Sequence, residues 1–309
     1  MEHVGDEMTK VLNKNNWNER LDELVKEVLA DPDVAAFISE HQDELTDEAI
    51  HKSYAKMYEY VQEKRKFKLN EPNMIAPGYE PKLFMNFHFI DVTYVPTEEL
   101  LQKQAEQSLR NRVKAIGMQK DIREATLESY EPTVEREEAL TAALEFIEEY
   151  PKNPKAFHKG LYLQGSYGVG KTYLLAVIAN ELAKQGIQST LLNFSEFAVE
   201  MKRAIATNTT GDKVDAIKKS PVLMIDDIGA DFMGSWIRDD ILGVILQYRM
   251  QEQLPTFFSS NFSMEQLEKE HLMVTKEGNE EPMKAGRIME RIRYLAREIK
   301  MVGANRRNP

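Results

Sequence analysis

The chain has 309 residues, which is longer than one typical domain and predicts two. Its 51 acidic and 40 basic residues give a net charge of −11, which argues against a protein that coats duplex DNA with a basic surface. It contains no cysteine, which excludes disulfides, thiolate nucleophiles and cysteine-ligated zinc. The polar first twenty residues and the short apolar runs predict a cytoplasmic protein with no signal peptide and no membrane span.

The N-terminal part has a helical pattern followed by strands. Apolar residues at spacings of three and four predict helices over residues 17–66, interrupted at Pro32. Thr46 is placed to cap the last of these helices. After a loop rich in proline, residues 83–95 predict one or two strands, because aromatic and β-branched residues are frequent there.

Residues 98–125 separate this part from the rest of the chain. They mix charges with few large apolar residues, which predicts a solvated helical linker; a basic patch for nucleic acid is the alternative. We therefore expect an N-terminal domain over 1–100, a helical linker over 101–130 and a second domain over 131–309. Residues 1–130 carry 25 acidic and 17 basic residues, which favours a protein-binding surface in this part of the chain.

From Val134 onward, short apolar strands alternate with helices. This alternation predicts an α/β domain, in which a parallel sheet is covered by helices on both faces. Ligands of such sheets bind beyond the carboxyl ends of the strands. The predicted strands cover 160–164, 190–194, 222–225 and 256–259, and the predicted helices cover 134–150, 173–182, 195–206 and 237–251. The 48 residues after Asn261 can hold a few helices and one strand.

The connection after the first of these strands matches a phosphate-binding loop. Its pattern is G-x-x-x-x-G-K-T, formed by Gly165-Ser166-Tyr167-Gly168-Val169-Gly170-Lys171-Thr172. The glycines let backbone N–H groups curl around anionic oxygens, and the following helix directs the positive end of its dipole at them. Lys171 supplies a cation and Thr172 a magnesium ligand, so the sequence predicts a site for a nucleoside triphosphate with Mg²⁺.

Two further strands end in polar side chains that can complete this site. Asp226 and Asp227 follow an apolar strand, as the second half of a P-loop nucleotide site does. We expect Asp226 to hold magnesium and Asp227 to orient or deprotonate the attacking water. Asn261 follows the next strand, where its amide can bridge the phosphate and that water; asparagine is also a common turn residue.

Arginines near the C-terminus offer a cation for a neighbouring subunit. Arg287 and Arg291 are four residues apart, so a helix presents them on the same face. An exposed arginine of this kind can act as a finger that stabilises charge on a neighbouring subunit's γ-phosphate. The alternatives are a solvated basic face paired with Glu290 and a surface for nucleic-acid phosphates.

These motifs resemble the AAA+ ATPases and, within them, the bacterial replicative helicase loaders of the DnaC/DnaI type. The resemblance rests on the phosphate loop and on V-L-M-I-D-D-I-G-A, T-F-F-S-S-N-F and R-I-M-E-R. It implies a P-loop ATPase core, a parallel sheet flanked by helices with little or no lid, preceded by a small, mainly helical α+β domain. It also implies ATP and Mg²⁺ as ligands, Asp226 and Asp227 as the magnesium and hydrolysis acids, Asn261 as sensor, Arg287 as arginine finger and Arg291 as its helper.

The resemblance implies partners as well. The N-terminal domain would hold the hexameric replicative helicase, and the ATPase domain would share its ATP site with neighbouring copies and contact single-stranded DNA. The residues that correspond to DNA contacts are Lys202, Arg203, Trp236 and Arg238, although Trp236 is otherwise a packing residue. Other primosome or initiation proteins are further candidate partners.

The N-terminal domain departs from the family in one respect. The family's domain binds zinc, but residues 64–95 contain no cysteine here, so we predict no zinc. We expect the loop and strands to be held instead by the packing of aromatic side chains, namely Phe84, Phe87, Phe89 and Tyr94.

The resemblance thus implies an ATP-dependent helicase loader whose ATPase activity is weak alone and depends on assembly and single-stranded DNA. Two other functions remain open. A transposition-helper ATPase of the IstB kind shares the ATPase motifs, but the acidic N-terminal domain disfavours it. A protein-binding adaptor with a regulatory or vestigial nucleotide site is disfavoured by the intact phosphate loop and the aspartate pair.

Overall fold

The structure of the protein is a computed structural model that describes residues 17–230, 233–273 and 280–306. The chain divides into two compact units, Met1–Ala105 and Glu106–Pro309. In the described ranges, no helix is both long and apolar enough to cross a bilayer.

In the first unit, helices pack on a β-hairpin. The elements are α1 (Trp17–Leu29), α2 (Pro32–Glu40), α3 (Asp47–Lys52) and α4 (Tyr54–Leu69), followed by the antiparallel strands β1 (Tyr79–Asn86) and β2 (Phe89–Pro96). The predicted cap is confirmed, because Thr46 Oγ1 accepts a hydrogen bond from the Ala49 N–H at 3.2 Å. The core of this unit is apolar and includes Val28, Val34, Met57, Tyr60 and Ile90.

The hairpin's phenylalanines do not form the packing that the sequence predicted. Phe84, Phe87 and Phe89 are 38%, 89% and 44% exposed. Side chains alternate along a strand, so Phe84 and Phe89 lie on the face opposite to the buried Ile90, and Phe87 lies in the turn. Tyr94 donates a hydrogen bond to Glu59 at 3.0 Å. The expectation of an aromatic cluster is therefore wrong for the three phenylalanines.

A buried carboxylate anchors the loop between α4 and β1. Glu63 is 1% exposed and accepts hydrogen bonds from the Ile75 N–H at 2.7 Å and from Lys66 Nζ at 2.6 Å. Lys66 Nζ also donates to the Asn73 carbonyl at 3.4 Å. Polar contacts from α4 thus hold this loop.

In the second unit, the described residues form a six-stranded parallel sheet, which confirms the predicted α/β class. Its strands are β3 (Val113–Ile116), β4 (Gly160–Gln164), β5 (Ser189–Asn193), β6 (Val222–Asp226), β7 (Thr256–Ser260) and β8 (Ala296–Lys300). They are arranged in the order β3-β5-β6-β7-β4-β8, and every neighbouring pair is parallel. The long connections that parallel pairing requires are helical.

The helices cover both faces of this sheet. After α5 (Glu98–Arg112), which begins in the first unit and buries none of its residues, they are α6 (Lys120–Arg123), α7 (Glu137–Glu149), α8 (Lys171–Lys184), α9 (Phe194–Ala206), α10 (Thr210–Lys218), α11 (Gly243–Gln251), α12 (Met264–Gln266) and α13 (Pro282–Leu295). Single π-helical turns occur at Ile237–Leu242 and Leu267–Leu272. Along β6, Leu223 and Ile225 join one hydrophobic cluster while Val222 and Met224 join the other, as expected for a strand that is buried on both faces.

The segment predicted as a helical linker over 101–130 differs in the structure. Helix α5 accounts for its first part only, and β3 then pairs with β5 at the edge of the sheet. Farther on, Met118, Ala125 and Tyr130 are buried in the second unit's core. A four-residue edge strand that exposes Lys114 has too short an alternation to be told from a helix by its sequence pattern.

Candidate functional site

The phosphate-binding loop joins β4 to α8 in the conformation that its glycines permit. Gly168 and Gly170 have φ angles of 78° and 99°, in the left-handed region that favours glycine. Val169 between them is 1% exposed and packs into the core, which fixes the loop on the sheet. Helix α8 begins at Lys171, so its N-terminal N–H groups face the concavity of the loop.

Lys171 is held at the centre of this loop by oxygen atoms. It is 7% exposed, and its Nζ donates to the carbonyls of Gly165 and Ser166 at 2.8 and 2.9 Å and to Asn261 Oδ1 at 2.8 Å. Asn261 lies just beyond β7, so the structure brings together two residues that the sequence predicted from separate strands. When a phosphate is bound in the loop, its anionic oxygens can replace these three acceptors as hydrogen-bond partners of the ammonium group.

The buried carboxylate of Asp226 lies next to the first turn of α8. Thr172 Oγ1 donates to Asp226 Oδ1 at 2.9 Å, and Ser259 Oγ donates to the same oxygen. Burial raises the pKa of Asp226, and the neighbouring Asp227 raises it further, while the two hydroxyl hydrogen bonds oppose the shift. Mg²⁺ prefers oxygen ligands, and the Thr172 hydroxyl and the Asp226 carboxylate lie next to each other here. Their arrangement therefore suits the magnesium-binding roles predicted for both residues.

Asp227 is held in a left-handed conformation beside this pair. Its φ angle is 60°, a region that aspartate tolerates better than most residues. Its N–H donates to Ser259 Oγ at 3.0 Å, and Asn261 Nδ2 donates to its Oδ1 at 3.4 Å. Ser259 therefore connects the two aspartates, a role that the sequence analysis missed because a serine inside an apolar strand gives no signal of its own.

These groups line a pocket of about 650 Å³, within the range of small-molecule sites. Besides the predicted residues, its lining includes residues that the sequence analysis did not assign to the site, namely Gln119, Ile122, Ser129, Tyr130, Glu131, Arg136, Tyr173, Asn193 and Arg306. Arg136 is 3% exposed, donates to the Glu131 carbonyl and to Thr133 Oγ1, and lies 5.0 Å from the Tyr130 ring centre. The segment predicted as a linker thus supplies part of this lining, through Gln119, Ile122, Ser129 and Tyr130.

The two arginines predicted as finger and helper lie on α13, outside this pocket. Arg287 is exposed, and Arg291 is half-buried and donates to the Gly243 carbonyl at 2.9 Å. Burial lowers the pKa of Arg291, and the charge of Arg287 lowers it further. Because neither lines the pocket of its own chain, their predicted role requires a neighbouring copy.

The four residues predicted to contact DNA have different environments. Lys202 and Arg203 are exposed on α9. Trp236 is partly buried against the hydrophobic core, as its alternative role in packing requires. Arg238 is 1% exposed and forms hydrogen bonds with Asp239, Glu281 and the Leu272 carbonyl. Arg238 is therefore a buried ion-paired residue, and the prediction that it contacts DNA is contradicted by its burial.

Comparisons with known proteins match both units. Residues 1–94 match the family described as the primosomal protein DnaI N-terminus, and residues 122–272 match the bacterial DnaA ATPase domain. The replicative helicase loader DnaI of Bacillus subtilis (strain 168) is 38% identical over 316 residues, which covers 100% of each chain. A crystal structure of DnaI is 46% identical, covers 64% of this chain and 98% of that chain, and has a TM-score of 0.55.

A weaker match concerns the ATPase unit alone. The chromosomal replication initiator DnaA of Aquifex aeolicus is 26% identical over 180 residues, covering 57% of this chain and 41% of that protein. The likeness to DnaI, in contrast, extends over both units at higher identity. The chain belongs to the DnaI family of bacterial replicative helicase loaders.

Proposed function

We propose that this chain is an ATP-dependent loader that binds the hexameric replicative DNA helicase and delivers it to single-stranded DNA during initiation or restart of replication. The observation that carries the proposal is the likeness to a helicase loader over the full chain, which spans the first unit and the nucleotide site together. A transposition helper or an adaptor has no comparable observation in its favour.

Within this proposal, the pocket binds ATP with Mg²⁺ and hydrolyses it. Bound there, Mg²⁺·ATP supplies the transferable phosphoryl group and a metal that neutralises part of its charge. Lys171 binds phosphate oxygens together with the backbone N–H groups of the loop, and Thr172 and Asp226 hold the metal. Asp227, oriented by Asn261 and Ser259, is placed to accept a proton from water.

We propose further that the site is shared between neighbouring copies. Arg287 is exposed on α13 away from its own pocket, as a finger acting in trans requires. Turnover is then weak for the single chain and rises when copies assemble on single-stranded DNA. Lys202 and Arg203 provide two adjacent exposed cations for that strand.

The shared site can be tested by mixing two inactive variants. Arg287→Ala retains its own pocket, whereas Asp227→Asn retains its arginine. If Arg287 acts in trans, the mixture recovers part of the DNA-stimulated ATPase activity that each variant lacks alone. Arg293→Ala is the matched control, because Arg293 lies on the same helix and pairs with Glu268 at 2.6 Å. Absence of recovery at any mixing ratio would reject the finger assignment.

We assign helicase binding to the first unit, with its exposed phenylalanines as contact residues. Phe87 lies in the turn between the strands that carry Phe84 and Phe89, so the three exposed rings lie near the same end of the hairpin, as at a protein-interaction surface. Aromatic residues of this kind are enriched among those that dominate binding energy at protein interfaces.

The whole proposal is tested by mixing the full-length chain with its host's replicative helicase and measuring the mass of the complex. We expect a complex with or without ATP, since the first unit makes the contact. Transfer of the helicase to a single-stranded circle, with ATP present and absent, then tests loading. If no complex forms under either condition, the loader proposal is wrong.

A further inference from the structure

The C-terminal segment returns to the phosphate-binding loop after the last strand. Strand β8 pairs with β4 up to Lys300, and the Met301 N–H continues this pairing with a hydrogen bond to the Gln164 carbonyl at 2.7 Å. The chain then reaches the loop itself, where the Arg306 N–H donates to the Gly168 carbonyl at 3.0 Å. Residues 301–306 therefore lie against the outer side of the loop from its start to its middle.

Two glycines of the loop are closely covered by this segment. A Cβ atom on Gly165 would lie 2.2 Å from the Met301 carbonyl oxygen, and one on Gly168 would lie 1.9 Å from Asn305 Oδ1. Separations this short are not tolerated, so the loop needs glycine at these positions to accommodate its own C-terminal segment. At Gly165 the obstacle is backbone and cannot move aside, whereas at Gly168 it is the Asn305 side chain, so the backbone contact at Gly165 is what packs the segment against the nucleotide site.

The side chain of Arg306 connects this segment to the opposite wall of the pocket. Its Nη1 forms an ion pair with Glu131 Oε2 at 2.6 Å, and both residues line the nucleotide pocket. Glu131 belongs to the wall that also contains Tyr130, and its carbonyl accepts the hydrogen bond from Arg136. The ion pair therefore joins the Tyr130 wall to the phosphate-binding loop.

We propose that Glu131 and Arg306 form a clasp that retains bound nucleotide, which makes both of them positioning residues of the ATP site. The inference rests on the proposed nucleotide binding and adds to it a cis element that controls release. The clasp residues are 75% and 36% exposed, and an exposed pair contributes only modestly, so the clasp can open for exchange. Breaking it should accelerate release of nucleotide about 2- to 5-fold.

The test measures release of a fluorescent ADP analogue with Mg²⁺ from the full-length protein by stopped-flow displacement. Arg306→Ala and Glu131→Ala should both accelerate release, and the double variant should release no faster than the faster single variant. The charge-reversed pair, Glu131→Arg with Arg306→Glu, should return release towards the wild-type rate. Equal thermal unfolding midpoints without nucleotide would show that the single variants fold normally.

Arg297→Ala is the matched control. Arg297 lies on β8 and forms a similarly exposed pair with Glu145 at 3.0 Å, but it does not line the pocket, so its variant should release nucleotide at the wild-type rate. The clasp proposal is wrong, and the nucleotide site unaffected, if Arg306→Ala releases nucleotide at the wild-type rate. The same holds if Glu131→Ala releases it more slowly or if the charge-reversed pair does not return release towards the wild-type rate. Failure of the wild-type chain to bind the analogue would instead reject the nucleotide site and the clasp with it.

Discussion

The nucleotide edge of the sheet and the tip of the N-terminal hairpin each contain a non-glycine residue in the left-handed region, and the two are supported differently. Asp227, with φ of 60°, has hydrogen bonds from Asn261 and to Ser259. Phe87, with φ of 55°, is 89% exposed. Aspartate tolerates this conformation, whereas a bulky aromatic residue is an outlier there.

The difference separates a residue whose strained conformation is supported by its own chain from one whose conformation is not. At Asp227 the strain is offset by contacts inside the unit, which prepares the pocket for a small ligand. At Phe87 both the conformation and the apolar exposure are unfavourable for the isolated unit. The proposed contact with the helicase would offset that cost.

The largest expected effect is loss of nucleotide binding in Lys171→Ala. Removing an ammonium group that binds phosphate oxygens should weaken ATP binding by about 100-fold or more. Titration calorimetry with Mg²⁺·ATP measures this, and helicase binding through the first unit should be unchanged. Lys184→Ala is the matched control, because Lys184 lies at the other end of α8 and pairs with Glu181 at 2.7 Å. Simultaneous loss of helicase binding would contradict the separation of the two functions.

Asp226→Asn should lower turnover about 100-fold while stabilising the protein in the absence of metal. Burial raises the pKa of Asp226, so the native state holds its proton to higher pH than the unfolded chain. The protein therefore loses stability as the pH rises from 3.8, the ordinary pKa of an aspartate, through the raised pKa of Asp226 in the native state. Asparagine does not ionise, so the variant does not lose this stability. In EDTA, the thermal unfolding midpoint of the variant should exceed that of the wild type by an amount that grows as the pH rises through this range.

Asp215→Asn is the control for Asp226→Asn, because the pKa of Asp215 is shifted in the opposite direction. Hydrogen bonds from Lys218 and Lys219 lower the pKa of Asp215 to about 2, so its charged form is favoured in the native state. Neutralising it should not stabilise the protein at any pH. If Asp226→Asn and Asp215→Asn behave alike, the burial of Asp226 is not the cause.

Phe87→Asn should weaken the helicase complex about 10-fold and stabilise the isolated protein by about 1 kcal/mol. Asparagine adopts the left-handed conformation more readily, and it removes an exposed aromatic ring. The two effects are measured by binding titration and by denaturant unfolding. Leu101→Asn, at another exposed apolar position of the first unit, controls for a general loss of apolar surface. A variant that is stabilised and binds the helicase normally would refute the contact.

The central part of the nucleotide site could be predicted from the sequence because its chemistry lies at strand ends. The loop from Gly165 to Thr172, the aspartate pair and Asn261 each follow a predicted strand, and parallel strands carry such ends to one edge of a sheet. The strands β4 to β7 agree with the predicted ranges to within one residue at each end. The apolar signal was strongest in β4 and β6, whose sequences are GLYLQ and VLMID.

What escaped prediction depends on contacts between distant segments. Arg306 reaches the pocket only because β8 pairs with β4, and Arg238 was misassigned because its partner Glu281 is 43 residues away. Tyr130 was hidden in the stretch predicted as a linker, and Arg136 lies in a predicted helix whose pattern gave no sign that it lines the pocket. The short helix α10 and the edge strand β3 have too few periodic positions to be distinguished from loop or helix.

Ser259→Ala tests whether Asp226 and Asp227 are oriented from within their own chain. The hydroxyl donates to Asp226 and accepts from the Asp227 N–H, so its loss should lower turnover about 10-fold and leave ATP affinity nearly unchanged. Ser260→Ala is the matched control. Ser260 is the next residue of β7, is equally buried, and donates to the Ile228 carbonyl instead.

Both substitutions remove a buried hydroxyl and should destabilise the protein by about 1 kcal/mol. Because only Ser259 orients the aspartates, a turnover defect shared by both variants would assign the effect to general destabilisation of β7.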